Sequence, residues 1–415
     1  MRIIADLHIH SRHSRATSKD INIENLEKWA KIKGVSLLGT GDFQHPLWNK
    51  ELKEKLREDK NGILWSKNNF PFIWQTEISL IYSNGRRRAV HFIVLSPNTE
   101  TSDKIIFYLK EKGRVDYDGR PIFSIKAEQF VSDLKKINSL IEIIPAHCMT
   151  PWFGLFGSDS GFDSLVECFG SQKENIYAVE SGMSASPDML WRLKENVNIV
   201  SFSDSHSFWP WRLGREATIF EIGELSYNNL IKAIRTGEGL KETIETPPEY
   251  GKYHWDGHRA CNFSCSPKET EKIGGLCPVC NRKLTIGVEN RIEKLAKEKE
   301  GFIPKNARKF YKILPLHELI AFKFGVKIES KKTWQIYNEI IDFFKNEFNV
   351  LLEVTAEELE LRIKEKELVR LILLNREGKL DVVPGFDGTY GKIVLSDVSL
   401  NKVSERKTER QTSLF

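Results

Sequence analysis

The 415-residue chain reads as an α/β domain followed by a small cysteine-rich module and a mainly helical C-terminal region. Three observations carry this reading. Apolar strand-like runs alternate with amphipathic helical stretches as far as about residue 222, four of the six cysteines fall within residues 261–280, and the pattern beyond them has a helical period. A chain this long exceeds one ordinary core, so two or three domains are expected. With 40% hydrophobic and 29% charged residues and no apolar run of membrane-spanning length, a folded protein with no membrane partner is expected. No leader pattern precedes the first strand, and the cysteines form a poor disulfide framework, so a reducing, cytoplasmic location is expected.

Taken in order, the strand candidates are RIIADLHI, VSLLGTG, FPFIWQTEISLIY, AVHFIVL, LIEIIPAH, IYAVES and VNIVSFSD. Helices lie between them, such as NIENLEKWAKIKG with an Asn22 cap, a spaced apolar stripe and a closing Gly34. The alternation predicts a parallel sheet, either open and doubly wound or closed as a barrel. TPPEYGKYHWDG reads as a linker. Beyond the cysteines, KTWQIYNEIIDFFKNEF is an amphipathic helix, and a further helix starts at a capping box, Thr355 with Glu358, and stops at Gly378. PGFDGTYGK (384–392) is a glycine-rich turn, and the tail from Asn401 is polar. These features divide the chain into residues 1–245, 246–290, 291–400 and 401–415.

Strand side chains alternate faces, so His8 and His10 point the same way, and so do Asp204 and His206. Glu77, His91 and His147 lie at or near other strand ends. Two such pairs with three more ligand-type residues in one α/β domain point to a metal centre, with Glu77 as a bridging carboxylate. Mixed nitrogen and oxygen donors suit Zn, Mn or Fe. Two ions about 4 Å apart generate hydroxide at neutral pH and neutralise a phosphoryl group during in-line displacement. Phosphoester hydrolysis is the chemistry inferred, with Asp204, His147 and Glu77 as its core.

The segments DLHIH, WQTEIS, IPAH and SDSH resemble, in this order, the motifs of the PHP (polymerase and histidinol phosphatase) superfamily. The resemblance covers roughly residues 1–240 and implies a distorted seven-stranded α/β barrel, a (β/α)7 PHP fold. It also implies two or three catalytic divalent ions, Zn in first place with Mn or Mg as alternatives, held by His8, His10, Glu77, His91, His147, Asp204 and His206. Two departures stand out. Arg15 occupies the region where the superfamily carries an acidic residue, and the second motif reads Gly41-Asp42-Phe43 with His45 two residues on. Asp42 and His45 are the candidates for completing the third site.

Cys261, Cys265, Cys277 and Cys280 form a C-x3-C, eleven-residue, C-x2-C arrangement that predicts one structural tetrahedral zinc, with His254 and His258 close enough to compete. Residues 251–310 hold 13 Lys/Arg against 7 Asp/Glu, a basic middle that suits a phosphate-binding module. Two aromatic loops follow metal motifs, at 151–171 and 206–215. Their candidates for substrate contact are Glu167 and Ser171 for a base edge, Trp209 for stacking, and Arg212 and Arg215 for phosphate.

The whole arrangement resembles the endonuclease Q family. That resemblance implies nicking of DNA 5′ to a deaminated base (hypoxanthine, uracil or xanthine) or an abasic site, with the basic and helical parts holding the duplex. The tail RKTERQTSLF resembles the first half of a sliding-clamp (PCNA) binding motif, with Gln411, Leu414 and Phe415 as its anchors. A PHP-type phosphatase or exonuclease, and a non-catalytic DNA-binding scaffold with a degenerate barrel, are the alternatives.

Overall fold

The computed structural model describes residues 1–394; Gln411, Leu414 and Phe415 of the clamp-like tail lie outside the described residues. All seven strands read from the sequence form: Arg2–Asp6, Leu37–Gly39, Pro71–Asn84, Arg86–Ser96, Glu142–Pro145, Ala178–Glu180 and Asn198–Val200. The expected parallel sheet is in fact mixed. Arg2–Asp6 runs parallel to Leu37–Gly39, which runs parallel to Pro71–Asn84. Pro71–Asn84 and Arg86–Ser96 are antiparallel, as are Arg86–Ser96 and Glu142–Pro145. The reason is local: Gly85, at φ +70, turns the chain in place, so no crossover helix intervenes. Ala178–Glu180 and Asn198–Val200 pair separately from the eleven-stranded sheet.

Of the strands with no sequence signal strong enough to be read, three extend the sheet beyond the first strand. Ala217–Glu221 and Leu240–Glu245 continue the sheet antiparallel beyond Arg2–Asp6, and Lys309–Lys312 adds a parallel edge. The last strand belongs to the C-terminal region, so the sheet itself runs into the helical part. Asn22 caps Ile23–Lys33, and Gly34 closes it in the left-handed conformation. The single helix read from Thr355 to Gly378 is two, Ala356–Arg362 and Lys366–Arg376. They break at Ile363, whose extended backbone buries its side chain. The stretch read as a linker is packed, with His254 and Asp256 buried.

The helices Leu316–Phe324, Lys331–Phe344 and Lys366–Arg376 share one apolar cluster with the α/β domain. At that joint Lys33 is fully buried, and its Nζ donates to Glu347 Oε1 at 2.6 Å and to the Pro210 carbonyl at 2.8 Å. Glu347 also accepts from the Leu316 N–H at 3.0 Å and from the Tyr337 hydroxyl at 2.9 Å. Beside this pair, Trp209 and Trp211 pack on Trp334, and the buried His317 ring sits 4.8 Å from Trp211, 4.5 Å from Trp334 and 4.0 Å from Tyr337.

Two outcomes are expected. Lys33→Met leaves Glu347 buried without its cation, and urea denaturation should show a loss of about 3–5 kcal/mol. Burial, helped by Lys33, pushes the His317 pKa down to about 3. A base depressed in the fold gives stability that is complete above its unfolded value, near 6.5, and lost as pH falls towards 3. The unfolding free energy from urea denaturation should therefore fall more between pH 7.5 and pH 5 in the unaltered chain than in His317→Phe, a difference of about 2 kcal/mol.

Candidate metal centre and substrate cavity

The strand ends at one edge of the sheet converge on Glu77, whose side chain is completely buried in the middle of Pro71–Asn84. One of its oxygens, Oε2, lies 3.1 Å from His10 Nε2 and 3.6 Å from His8 Nε2, and Asp204 Oδ1 meets the same two nitrogens at 3.1 and 3.6 Å. The other, Oε1, lies 2.9 Å from His91 Nδ1 and 3.2 Å from His147 Nε2, and those two ring nitrogens are 3.2 Å apart. The donors thus form two groups, His8–His10–Glu77–Asp204 and Glu77–His91–His147, each with its ligand atoms within 4.8 Å of one another.

These donors fit cations. His8 Nε2 is buried with no hydrogen-bond partner. Burial opposes charge on His8, yet Glu180, Glu77 and Asp204 hold its pKa well above the ordinary imidazole value. Burial likewise opposes ionisation of Glu77, but His91, Arg120 and His8 outweigh it and hold the carboxyl well below its usual range. A buried carboxylate ringed by imidazoles supplies anionic and neutral nitrogen donors together, the set that Zn-type ions take. Backbone strain gathers here too, with φ +32 at His147 and +47 at Asp204, a cost tolerated where geometry serves function.

Three predicted ligands stand outside both groups. His206 has its ring 4.5 Å from that of His10, but its Nδ1 bonds the Asp204 carbonyl at 3.0 Å. Asp42 accepts from His10 Nδ1 at 3.0 Å, from the Ser11 N–H at 2.6 Å and from Ser14 Oγ at 2.9 Å. Its oxygens are committed to orienting His10 rather than facing the clusters. His45 stacks on His13, with ring centroids 4.2 Å apart.

Two residues escaped the sequence reading. Glu180, at the end of its strand, accepts from His8 Nδ1 at 2.9 Å and from the His147 N–H at 2.6 Å, so it fixes ligands of both groups. Arg120 reaches Glu77 Oε2 at 3.2 Å. Glu180 ends the strand run IYAVES, which was its only signal, and Arg120 sits in a loop with none.

A cavity of ≈ 490 Å³ opens beside the centre, lined by His91, His147 and Asp204. Trp152, Phe153 and Tyr253 add an aromatic wall, and Arg120, Arg215 and Lys252 a cationic one. The other predicted substrate contacts fall elsewhere. Glu167 pairs with Arg88 and accepts from the Asp163 N–H, and Ser171 donates to Glu128, so neither lines this cavity. Trp209 packs in the joint with Trp29, Trp211 and Trp334 and does not line this cavity.

In the cysteine module the structure corrects the four-thiolate set. Cys261, Cys277 and Cys280 gather with His258, whose Nδ1 lies 3.3 Å from Cys280 Sγ. Cys265 is buried one step down the hairpin, opposite Asp256, with its sulfur 3.2 Å from Thr270 Oγ1. Burial works against ionisation of Cys277, but the N–H groups of Val279 and Cys280 and the His258 ring outweigh it and bring the thiol down to about 6. A thiolate beside an imidazole and two more sulfurs fits tetrahedral zinc.

Because Glu180 orients ligands without joining either group, Glu180→Ala should weaken metal affinity about 10–100-fold in a chelator competition. Asp133→Ala, on the distant Ala127–Ile137 helix, should leave it unchanged.

The chain superposes on the lesion-specific endonuclease PfuEndoQ from Pyrococcus furiosus with a TM-score of 0.86 and 30% identity, covering 96% of this chain and 97% of that one. It matches endonuclease Q in complex with a 27-mer duplex substrate carrying an abasic lesion at the active site with a TM-score of 0.85 and 29% identity, over 96% and 98% of the two chains. The uncharacterized protein MJ0043 of Methanocaldococcus jannaschii is 31% identical over 289 residues, 68% of this chain, and the chain spans 35% of that relative's length. The family described as the MJ0043 C-terminal domain matches residues 315–379, the segment that carries the joint with Lys33. Likeness over nearly the full length of both chains, at this identity, means that the chain belongs to the endonuclease Q family of lesion-specific endonucleases.

Proposed function

We propose that the chain is a metal-dependent DNA repair endonuclease that nicks the phosphodiester 5′ to a deaminated base or an abasic site, leaving 3′-hydroxyl and 5′-phosphate ends. The observation that supports this most directly is the Glu77 carboxylate shared between two donor groups on the wall of a cavity of ligand size. The mixed sheet that carries the donors is read as the distorted PHP barrel. Bound ions supply water activation and charge neutralisation at the phosphoryl group. His8, His10, Glu77 and Asp204 would hold one ion, and Glu77, His91 and His147 a second.

The chain's own groups do the rest. Glu180 and Asp42 keep the His8 and His10 rings turned towards Glu77. Phe153 lies stacked on the His91 ring at 4.3 Å, and with Trp152 and Tyr253 it offers apolar faces to a base turned out of the duplex. Turning a base out costs a few kcal/mol and is easiest where pairing is already weak, which favours mispaired, deaminated and abasic positions. Arg120, on the same wall, places positive charge where the phosphoryl group gains negative charge.

The test is an incision assay on duplexes that each carry one uracil, hypoxanthine, xanthine or abasic site, against an undamaged control. Cleavage of damaged duplexes alone is expected, abolished by a chelator and restored by Zn or Mn. Equal cleavage of the control, or none with Zn, Mn and Mg all tried, would sink the proposal. Asp204→Asn should abolish incision while duplex affinity stays within about threefold.

A further inference from the structure

The turn at 384–392 lies far along the chain from every metal ligand, yet it forms part of the wall of the metal cavity through Tyr390. It is clasped to the preceding module over its length. The Gly385 N–H donates to the Glu249 carbonyl at 2.8 Å, the Gly388 N–H to the Lys252 carbonyl at 3.0 Å and the Gly391 N–H to the Tyr250 carbonyl at 3.1 Å. Asp387 accepts from the Arg259 N–H at 2.6 Å and from Thr285 Oγ1 at 2.7 Å. The approach is close enough that a Cβ on Gly385 would fall 2.2 Å from the Gly251 carbonyl oxygen. A turn fastened so tightly holds Tyr390 in one place.

Three cations gather on that phenol. Lys252 Nζ lies 4.7 Å and the Arg212 guanidinium 5.8 Å from its ring centroid, and Arg215 lines the cavity with it. Burial alone would raise the phenol pKa, but Arg215, Arg212 and Lys252 outweigh it and hold it below the ordinary value. Among the described residues, no carboxylate oxygen lies within 4.0 Å of any of the three cations. Glu318 lies near Arg212 and Arg215, but burial raises its pKa against the opposing pull of Tyr250 and these two cations. Glu216, the other acid near Arg215, is fully buried, and burial together with the nearby Glu245 raises its pKa too. All four groups of the Tyr390 cluster keep part of their surface exposed. Positive charge is therefore in excess around Tyr390, with Arg215 and Lys252 on the cavity wall and Arg212 against the phenol ring.

We propose that Arg212, Arg215, Lys252 and the Tyr390 hydroxyl form a phosphate subsite, which holds a backbone phosphate next to the one presented to the metal ligands. The inference rests on duplex DNA as the substrate. Arg215, which also donates to the Ser203 carbonyl at 3.1 Å, ties the subsite to the residue before Asp204. The C-terminal turn thereby becomes part of the substrate site rather than a cap on the fold.

The experiment is fluorescence anisotropy of the full chain on an abasic-site duplex across a salt series, with incision measured in parallel. Each phosphate neutralised adds about 0.9 to the slope of log affinity against log salt. Lys252→Ala with Arg212→Ala should lower the slope by about 1 and weaken binding roughly tenfold near 0.1 M salt. Tyr390→Phe, which removes no charge, should weaken binding severalfold at every salt concentration with the slope unchanged. Lys252→Arg should keep the slope of the unaltered chain, which a merely structural lysine gives no reason to expect. An unchanged slope and affinity in the double variant would overturn the subsite even in a protein that incises. A protein that binds with the expected slope changes but incises nothing would keep the subsite and sink the function proposed above.

Discussion

The structure turns on one buried carboxylate. Glu77 has no water to stabilise its charge, so everything around it must do so, and the surrounding chain is arranged accordingly. Four imidazoles and a guanidinium surround its two oxygens, drawn from the first strand, the hairpin partner, the end of Glu142–Pro145 and a loop. Three of these partners are fixed in turn by a second carboxylate or hydroxyl, with Glu180 on His8, Asp42 on His10 and Thr150 on His147. The mixed sheet brings these strand ends to one edge. A single antiparallel hairpin, turned at Gly85, places Glu77 and His91 on adjacent strands with no helix between them.

Much of this was legible in the sequence, for physical reasons. Apolar runs marked all seven strands that were read, and several of them end in or close to a His, Asp or Glu, because burial imposes the run and the site imposes the polar residue at its end. His8, His10, Glu77, His91, His147 and Asp204 were found because side chains that bind metals are rarely spaced this way by chance. Strand direction was not legible, since period-two patterns do not say which neighbour a strand takes. Ala217–Glu221 and Lys309–Lys312 were missed because they are short and gain their strand character from pairing rather than from composition.

The errors at the site share a cause. Glu180 acts through the ligands it orients and Arg120 sits in a loop, and a lone acid or base has no spacing to betray it. Trp209 follows the Asp204 motif closely, which suggested the substrate, but its ring goes to the joint with the C-terminal helices. In the cysteine module sequence counts sulfurs, whereas the hairpin register decides which of them face one another. That register opposes Cys265 to Asp256 and His258 to Phe263, and leaves Cys265 to Thr270.

The Lys33–Glu347 pair has a mechanical consequence. Its ammonium also grips the Pro210 carbonyl, six residues after Asp204, so one buried cation touches both the C-terminal helices and the loop that follows a metal ligand. A force on those helices would therefore be passed to the loop after Asp204 through a buried ion pair and a hydrogen bond. The placement of the helical part and the setting of Asp204 are thus not mechanically independent.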